Sequence, residues 1–201
     1  MSAPSRIEAS ESTSHTLLER VRRHEAAAWW RFAELYGPLV YRWSVANGVS
    51  EHDAADVMQD VLQAVFQNLD RFQRRSPNDS LRGWLWSITR NKVCDHFRLR
   101  RAEPSAAGGT TANQQLHEIP NPPELLGEPA EAVDAEITHR ALELLQTEFE
   151  STTWRAFLAT AVDGRPAADV ARDLGLTTTA VYKAKSRVLL RLRRELDGLI
   201  D

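Results

Sequence analysis

Three groups of side chains in this 201-residue chain have types and spacings that could do chemistry, and in each the chemistry is binding. The first is a row of carboxylates, Asp53, Asp56 and Asp60, interleaved with Gln59, Gln63 and Gln67. Steps of three and four place such residues in one sector of a helix. The row could meet a basic partner helix, hold a cation, or simply be solvated. Divalent-ion sites draw oxygens from more than one segment, and no second carboxylate set accompanies this one, so no metal is expected.

The second group spans Phe72 to Arg101. A polar loop carries Arg74, Arg75, Asn78, Asp79 and Ser80; Arg82, Trp84, Trp86, Arg90, Asn91, Lys92, His96, Arg98, Arg100 and Arg101 follow. Arginine and lysine hold a phosphate backbone, while short polar side chains can hydrogen-bond an unstacked base and aromatics can stack on one. Trp84, between helix-periodic neighbours, is expected in the core and Trp86 at the surface. His96 has no partner that suggests catalysis and reads as a surface or phosphate-contacting histidine.

The third group is Ala167 to Arg194. A short helical run stops at Gly175, where a tight turn needs a residue that tolerates positive φ. Thr177 can cap the run that follows. Val181, Ala184, Val188, Leu192 and Leu196 form one face of that second run; Thr178, Thr179, Tyr182, Lys183, Ser186 and Arg187 form the other. This is the pattern of a helix-turn-helix whose second helix enters the DNA major groove. An αα-hairpin with a solvated basic face has the same spacing. Between Thr177 and Arg194 the charges are Lys183, Lys185, Arg187, Arg191, Arg193 and Arg194, with no acid among them. An unmixed basic helix suits counterion release from phosphate better than it suits solvation.

The elements that must position these groups are helical throughout. A helix is expected from near Ser14 with Leu17, Leu18 and Val21 inward. Another covers Ala26–Tyr36, with Trp29, Trp30, Ala33 and Tyr36 on one face. Gly37-Pro38 is expected to interrupt it before a further helix, Leu39–Asn47. Ser50 caps the helix that carries the acidic row. Helix resumes near Leu81 and runs to about Arg101. Glu103–Ala135 holds Pro104, Gly108, Gly109, Pro120, Pro122, Pro123, Gly127 and Pro129 and reads as a linker. Ile137, Ala141, Leu144, Leu145 and Phe149 open the next helix. Ser151-Thr152-Thr153 offers a cap for one carrying Trp154, Phe157, Leu158 and Ala161. The expectation is an all-α chain of two small helical domains: 14–101 and 136–201, joined by the flexible linker 102–135 and preceded by a disordered 1–13.

Hydrophobic residues make up 42%, enough for a real core, and the formal net charge of −3 does not announce nucleic acid. The mild sum hides alternating blocks. Between Arg71 and Arg101 bases dominate; between Ala102 and His139 there is no lysine or arginine but seven acids. The single Cys94 excludes an intramolecular disulfide framework and reads as a small half-buried residue. No apolar leader or membrane-length stretch occurs, so a cytoplasmic protein is expected. No nucleophile–base pair, glycine-rich phosphate loop or metal-ligand set is visible; the chain is expected not to be an enzyme and to need no cofactor.

The runs DAADVMQDVLQAVFQNLDRF (53–72), SLRGWLWSITRNKVCDHFRLRR (80–101) and DVARDLGLTTTAVYKAKSRVLLRLRREL (169–196), in this order around a linker, resemble a bacterial RNA polymerase sigma factor. The size and two-domain layout are similar to those of the extracytoplasmic-function group. The resemblance implies a promoter-melting domain and a helix-turn-helix domain, with core RNA polymerase and promoter DNA as partners and an anti-sigma factor as a possible one. It places Asp53, Asp56, Gln59, Asp60 and Gln63 on the polymerase clamp. To the melted −10 element it assigns Phe72, Arg74, Arg75, Asn78, Asp79, Ser80, Arg82, Trp86, Arg90, Asn91, Lys92, His96 and Arg98. To the −35 element it assigns Thr178, Thr179, Tyr182, Lys183, Lys185, Ser186 and Arg187. The linker's lack of bases suits a route past basic polymerase surface. One departure stands out: many family members have a V-K-x-R recognition helix, whereas Tyr182 follows Val181 here. A free-standing helix-turn-helix regulator is the alternative, and it leaves the acidic row and the linker without a role. An adaptor that kept the fold but lost DNA binding would have no use for the basic helix.

Overall fold

Helix α2 (Ala26–Ala46) is the axis on which the first half of the chain packs. The computed structural model describes residues 16–73, 79–102 and 130–200. Before α2 lies α1 (Leu17–Arg22), opened by a capping box. The Thr16 hydroxyl accepts from the Glu19 N–H at 3.2 Å, and the Glu19 carboxylate accepts from the Thr16 N–H at 3.1 Å. Leu17, Leu18 and Val21 are buried, as expected. The expected disorder of 1–13 lies outside the described residues.

The Gly37-Pro38 break is absent: α2 runs straight through it. Proline in a helix interior costs about 3 kcal/mol. The burial of Phe32, Leu35 and Tyr36 before it, and of Leu39, Val40 and Trp43 after it, outweighs that cost. Gly37 has a packing role instead, because a Cβ there would lie 3.3 Å from Met58 Sδ on α3. Trp30 is 58% exposed and so does not share the inward face with Tyr36.

Helix α3 (Glu51–Asn68) starts at Ser50, whose hydroxyl accepts from the Asp53 N–H. It buries Ala54, Val57, Val61 and Val65 and ends in a 3₁₀ turn, Leu69–Arg71. Helix α4 (Leu81–Ala102) packs on α2 and α3. Helix α5 begins at Ala130, inside the stretch expected to be linker, and reaches Gln146. Helix α6 (Ser151–Phe157) continues as a π turn through Val162; its N-cap is Glu150 rather than one of the hydroxyl residues that follow. Helices α7 (Ala167–Leu174) and α8 (Thr178–Leu196) meet at Gly175, with φ +66°. Among the described residues there is no strand, and the all-α expectation holds.

The apolar clusters do not follow the sequence halves. The largest joins α1–α4 to Val133, Ile137 and Ala141 of α5 and to Leu196 and Leu199 at the end of α8. A small core of Ala156, Val170, Ala171, Val181 and Ala184 fastens α7 and α8 together, and Trp154, Phe157 and Val188 form another beside it.

Candidate nucleic-acid interfaces

The inward valines of α3 leave Asp56, Gln59, Asp60 and Gln63 exposed along one face. Asp53 is set apart from them. Its carboxylate accepts from the Ser50 hydroxyl at 2.6 Å and from Arg100 of α4 at 2.9 Å, and His96 Nε2 lies 3.8 Å away. The Ser50 bond holds the Asp53 carboxyl below the usual carboxylate range; partial burial opposes this, and Arg100 and His96 add to the lowering. Asp53 therefore faces α4, not the open surface. His96 follows it inward, with 17% of its side chain exposed, and is not the surface histidine expected from the sequence.

Where α3 gives way to α4, a cleft of about 460 Å³ is lined by Arg71, Phe72, Gln73, Asp79, Ser80, Gly83 and Trp84. Ser80 caps α4 by accepting from the Gly83 N–H at 2.9 Å. Arg22 of α1 donates to the Phe72 carbonyl at 2.8 Å and pins the cleft's rear edge. Phe72 and Trp84 lie with ring centroids 5.2 Å apart, which gives the cleft an aromatic wall with polar groups around it. The two tryptophans have exchanged their expected roles. Trp86 is 4% exposed and meets Trp43 edge-on at 5.3 Å, while Trp84 is half-buried at the cleft. Arg74, Arg75 and Asn78 lie outside the described residues. Arg82 pairs with Asp134 of α5 at 3.2 Å. Arg90, Asn91 and Arg98 are exposed along α4, and Lys92 is half-buried.

On α8, the Thr177 hydroxyl accepts from the Ala180 N–H at 3.1 Å, as the capping pattern requires. Thr179, Tyr182, Lys183, Ser186 and Arg187 line one continuous open surface. Tyr182 is 60% exposed, so a planar ring stands among the cations. Thr178 lies exposed at the helix start. Lys185 does not join this surface: its ammonium donates to the carbonyl of Thr160, inside the π turn, at 3.2 Å.

Sequence reading also missed Arg71, Gln73, Gly83 and Trp84 in the cleft. It missed a charge cluster of Arg31, Glu148, Arg191 and Glu195 as well, whose members are spread over 164 positions and share no local pattern.

The arrangement is thus an aromatic cleft beside a basic helix and a separate helix-turn-helix. Residues 32–103, which build the cleft, match the family model described as sigma-70 region 2. The RNA polymerase sigma factor CnrH of Cupriavidus metallidurans is 28% identical over 176 residues, spanning 81% of this chain and 87% of that protein. The region 2 domain and the likeness to CnrH support a transcription initiation factor of the RNA polymerase sigma type, in the extracytoplasmic-function group. Among solved structures, CnrH in complex with the cytosolic domain of CnrY is 24% identical, with 90% and 95% of the two chains covered and a TM-score of 0.36. The sigma factor RpoE in complex with the anti-sigma factor NepR from Bartonella quintana is 20% identical, with 82% and 94% covered and a TM-score of 0.32. None of the described helices is long and apolar enough to cross a membrane.

Proposed function

We propose that this sigma factor works through three surfaces of its own, by binding and without catalysis, in the cytoplasm. Asp56, Gln59, Asp60 and Gln63 on α3 dock on basic helices of core polymerase. The Phe72–Trp84 cleft takes an unstacked base of the −10 element, with Asp79 and Ser80 as hydrogen-bonding groups, while Arg90, Asn91, Lys92 and Arg98 follow the strand's phosphates. Thr178, Thr179, Tyr182, Lys183, Ser186 and Arg187 read the −35 element in duplex form. Residues 14–101 then act as the melting unit and 136–201 as the upstream anchor. An anti-sigma protein that covers these surfaces is the expected inhibitory partner, as the family's habit implies.

The observation that carries this reading is the cleft itself, which sits inside the segment that matches region 2 and combines an aromatic wall with polar capping groups. The test is transcription with purified core polymerase on genomic fragments, with start sites mapped. Starts that share two upstream elements support the reading. Duplex binding with no polymerase-dependent transcript would instead identify a free-standing regulator.

A further inference from the structure

Phe72 supplies one wall of the cleft, and a residue 50 positions earlier holds its backbone. Arg22, the last residue of α1, donates from Nη2 to the Phe72 carbonyl at 2.8 Å. The Phe72 N–H donates to the Leu69 carbonyl at 3.0 Å. Phe72 is where the chain leaves the 3₁₀ turn for extended backbone, with φ −70° and ψ 115°. Both of its main-chain polar groups are thus committed, one locally and one to α1. That backbone sets the ring, 6% exposed, against Trp84.

Packing by itself does not fix this segment. Phe72 and Gln73 line the aromatic cleft, and they also line a second cavity of about 500 Å³ shared with Leu18, Arg22 and Asp70. A wall between two open spaces lacks the dense contacts that hold a core side chain in one place. A hydrogen bond from a charged donor is directional and strong enough to select one position. The donor is firmly seated for that task. Leu17 and Val21 of α1 are 1% and 2% exposed, and the capping box closes the helix start. The guanidinium is kept at this post even though Arg22 Nε is enclosed with no hydrogen-bond partner among the described residues. Arg22 lies outside residues 32–103, so the match to region 2 assigns it nothing.

We propose that Arg22 is a positioning residue for base capture: through the Phe72 carbonyl it sets the aromatic wall on which an unstacked base stacks. Its action is on the protein's own backbone, not on the strand. Helix α1 is thereby a working part of the strand-opening unit. The inference rests on the base-binding reading of the cleft given above.

The test compares wild type, Arg22→Met and Arg22→Lys, each joined to core polymerase. The template is a promoter fragment carrying a mapped start site, with 2-aminopurine in the non-template strand of its −10 element. Methionine keeps a long apolar stem and removes the donor, while lysine returns a charged donor. Arg22→Met is expected to slow the fluorescence rise about tenfold, the order for one lost hydrogen bond from a charged group. Arg22→Lys is expected to recover most of that rate. Affinity for core polymerase is expected to stay within about twofold of wild type in both variants. Equal losses of polymerase affinity and of strand opening would mean that Arg22 only supports the fold, and would overturn the proposal. So would an Arg22→Met protein that opens the promoter at the wild-type rate, or an Arg22→Lys protein that opens it no faster than Arg22→Met. A wild-type holoenzyme that gives no fluorescence rise at all would instead overturn the base-binding reading, and this inference falls with it.

Discussion

The Asp53 carboxylate lies 2.9 Å from the Arg100 guanidinium, so the first acid of the α3 row is tied to the basic end of α4. Its neighbours Asp56 and Asp60 point outward from the same helix. One sequence row thus divides into an internal strut and an external face. The expected outcome is that Asp56→Arg with Asp60→Arg weakens core polymerase binding at least tenfold, a loss of about 1.4 kcal/mol or more. Asp53→Asn is expected to change that affinity by less than about twofold, since its carboxylate is engaged by Ser50 and Arg100 and stands off the docking face. Titration of fluorescently labelled sigma with core polymerase checks both. Equal losses in the two variants would return Asp53 to the docking face.

Trp84 and Trp86 are two residues apart and separate stability from function. Trp86 is enclosed and packed on Trp43, so Trp86→Ala is expected to destabilise the fold by about 3–5 kcal/mol, as large-to-small changes in a core do, read by denaturant unfolding. Trp84→Ala removes one wall of an open cleft. It is expected to leave stability within about 1 kcal/mol, but to abolish the fluorescence rise of 2-aminopurine placed in the melted −10 strand. A Trp84→Ala variant that melts promoters normally would remove base stacking from the role of the cleft.

The cations of α8 divide in the same way. Lys183→Ala and Arg187→Ala are each expected to lower the salt slope of duplex binding by about 1, the signature of one lost phosphate contact. Lys185→Ala is expected to leave the slope unchanged and to loosen the π turn it bonds, lowering the melting temperature by a few degrees, or about 1 kcal/mol for one part-buried hydrogen bond. Tyr182→Phe keeps the ring and tests whether its hydroxyl selects a base: promoter preference shifts while the salt slope does not.

What was legible in the sequence was the local chemistry. Thr177, Gly175 and Ser50 sit at caps and turns whose geometry depends on a few adjacent residues, and each is where its pattern placed it. Helical phase was legible but misjudged in two places. Lys185 lies about 40° around the helix from buried Val181, at the edge of the apolar stripe. On α4 the buried stripe includes Thr89, whose hydroxyl donates to the Leu85 carbonyl at 2.9 Å. Centring the stripe on Ile88 instead of Thr89 turns Trp84 inward and Trp86 outward, which exchanges the two tryptophans. The continuity of α2 through Pro38 was not legible, because tertiary packing overrides local propensity there. Nor was the joining of the two halves. Arg31 and Glu195 or Tyr36 and Leu199 meet only after all the intervening elements are placed, and no spacing rule connects them.

One contact between the halves is open to titration. Arg42 of α2 holds Glu136 of α5 through two parallel bonds, at 2.6 and 2.7 Å, and Arg140 is a second partner. The Arg42 bonds set the Glu136 carboxyl below its ordinary 4.5; partial burial opposes them, and Arg140 lowers it further. With the folded value depressed, the unfolded chain binds more protons in the window just below 4.5, so stability falls as pH falls through it. The contribution is fully present above the ordinary value and gone once the pH has passed below the folded one. Glu136→Gln removes the titrating group. Its unfolding free energy is expected to be lower than wild type by up to about 1 kcal/mol at neutral pH, the range for a solvent-facing pair. That difference is expected to close steadily between pH 4.5 and the acid limit. Parallel denaturant titrations across that window check the sign. A difference that persists at low pH would mean that Glu136 acts through packing, and a difference that grows on acidification would contradict the pairing with Arg42.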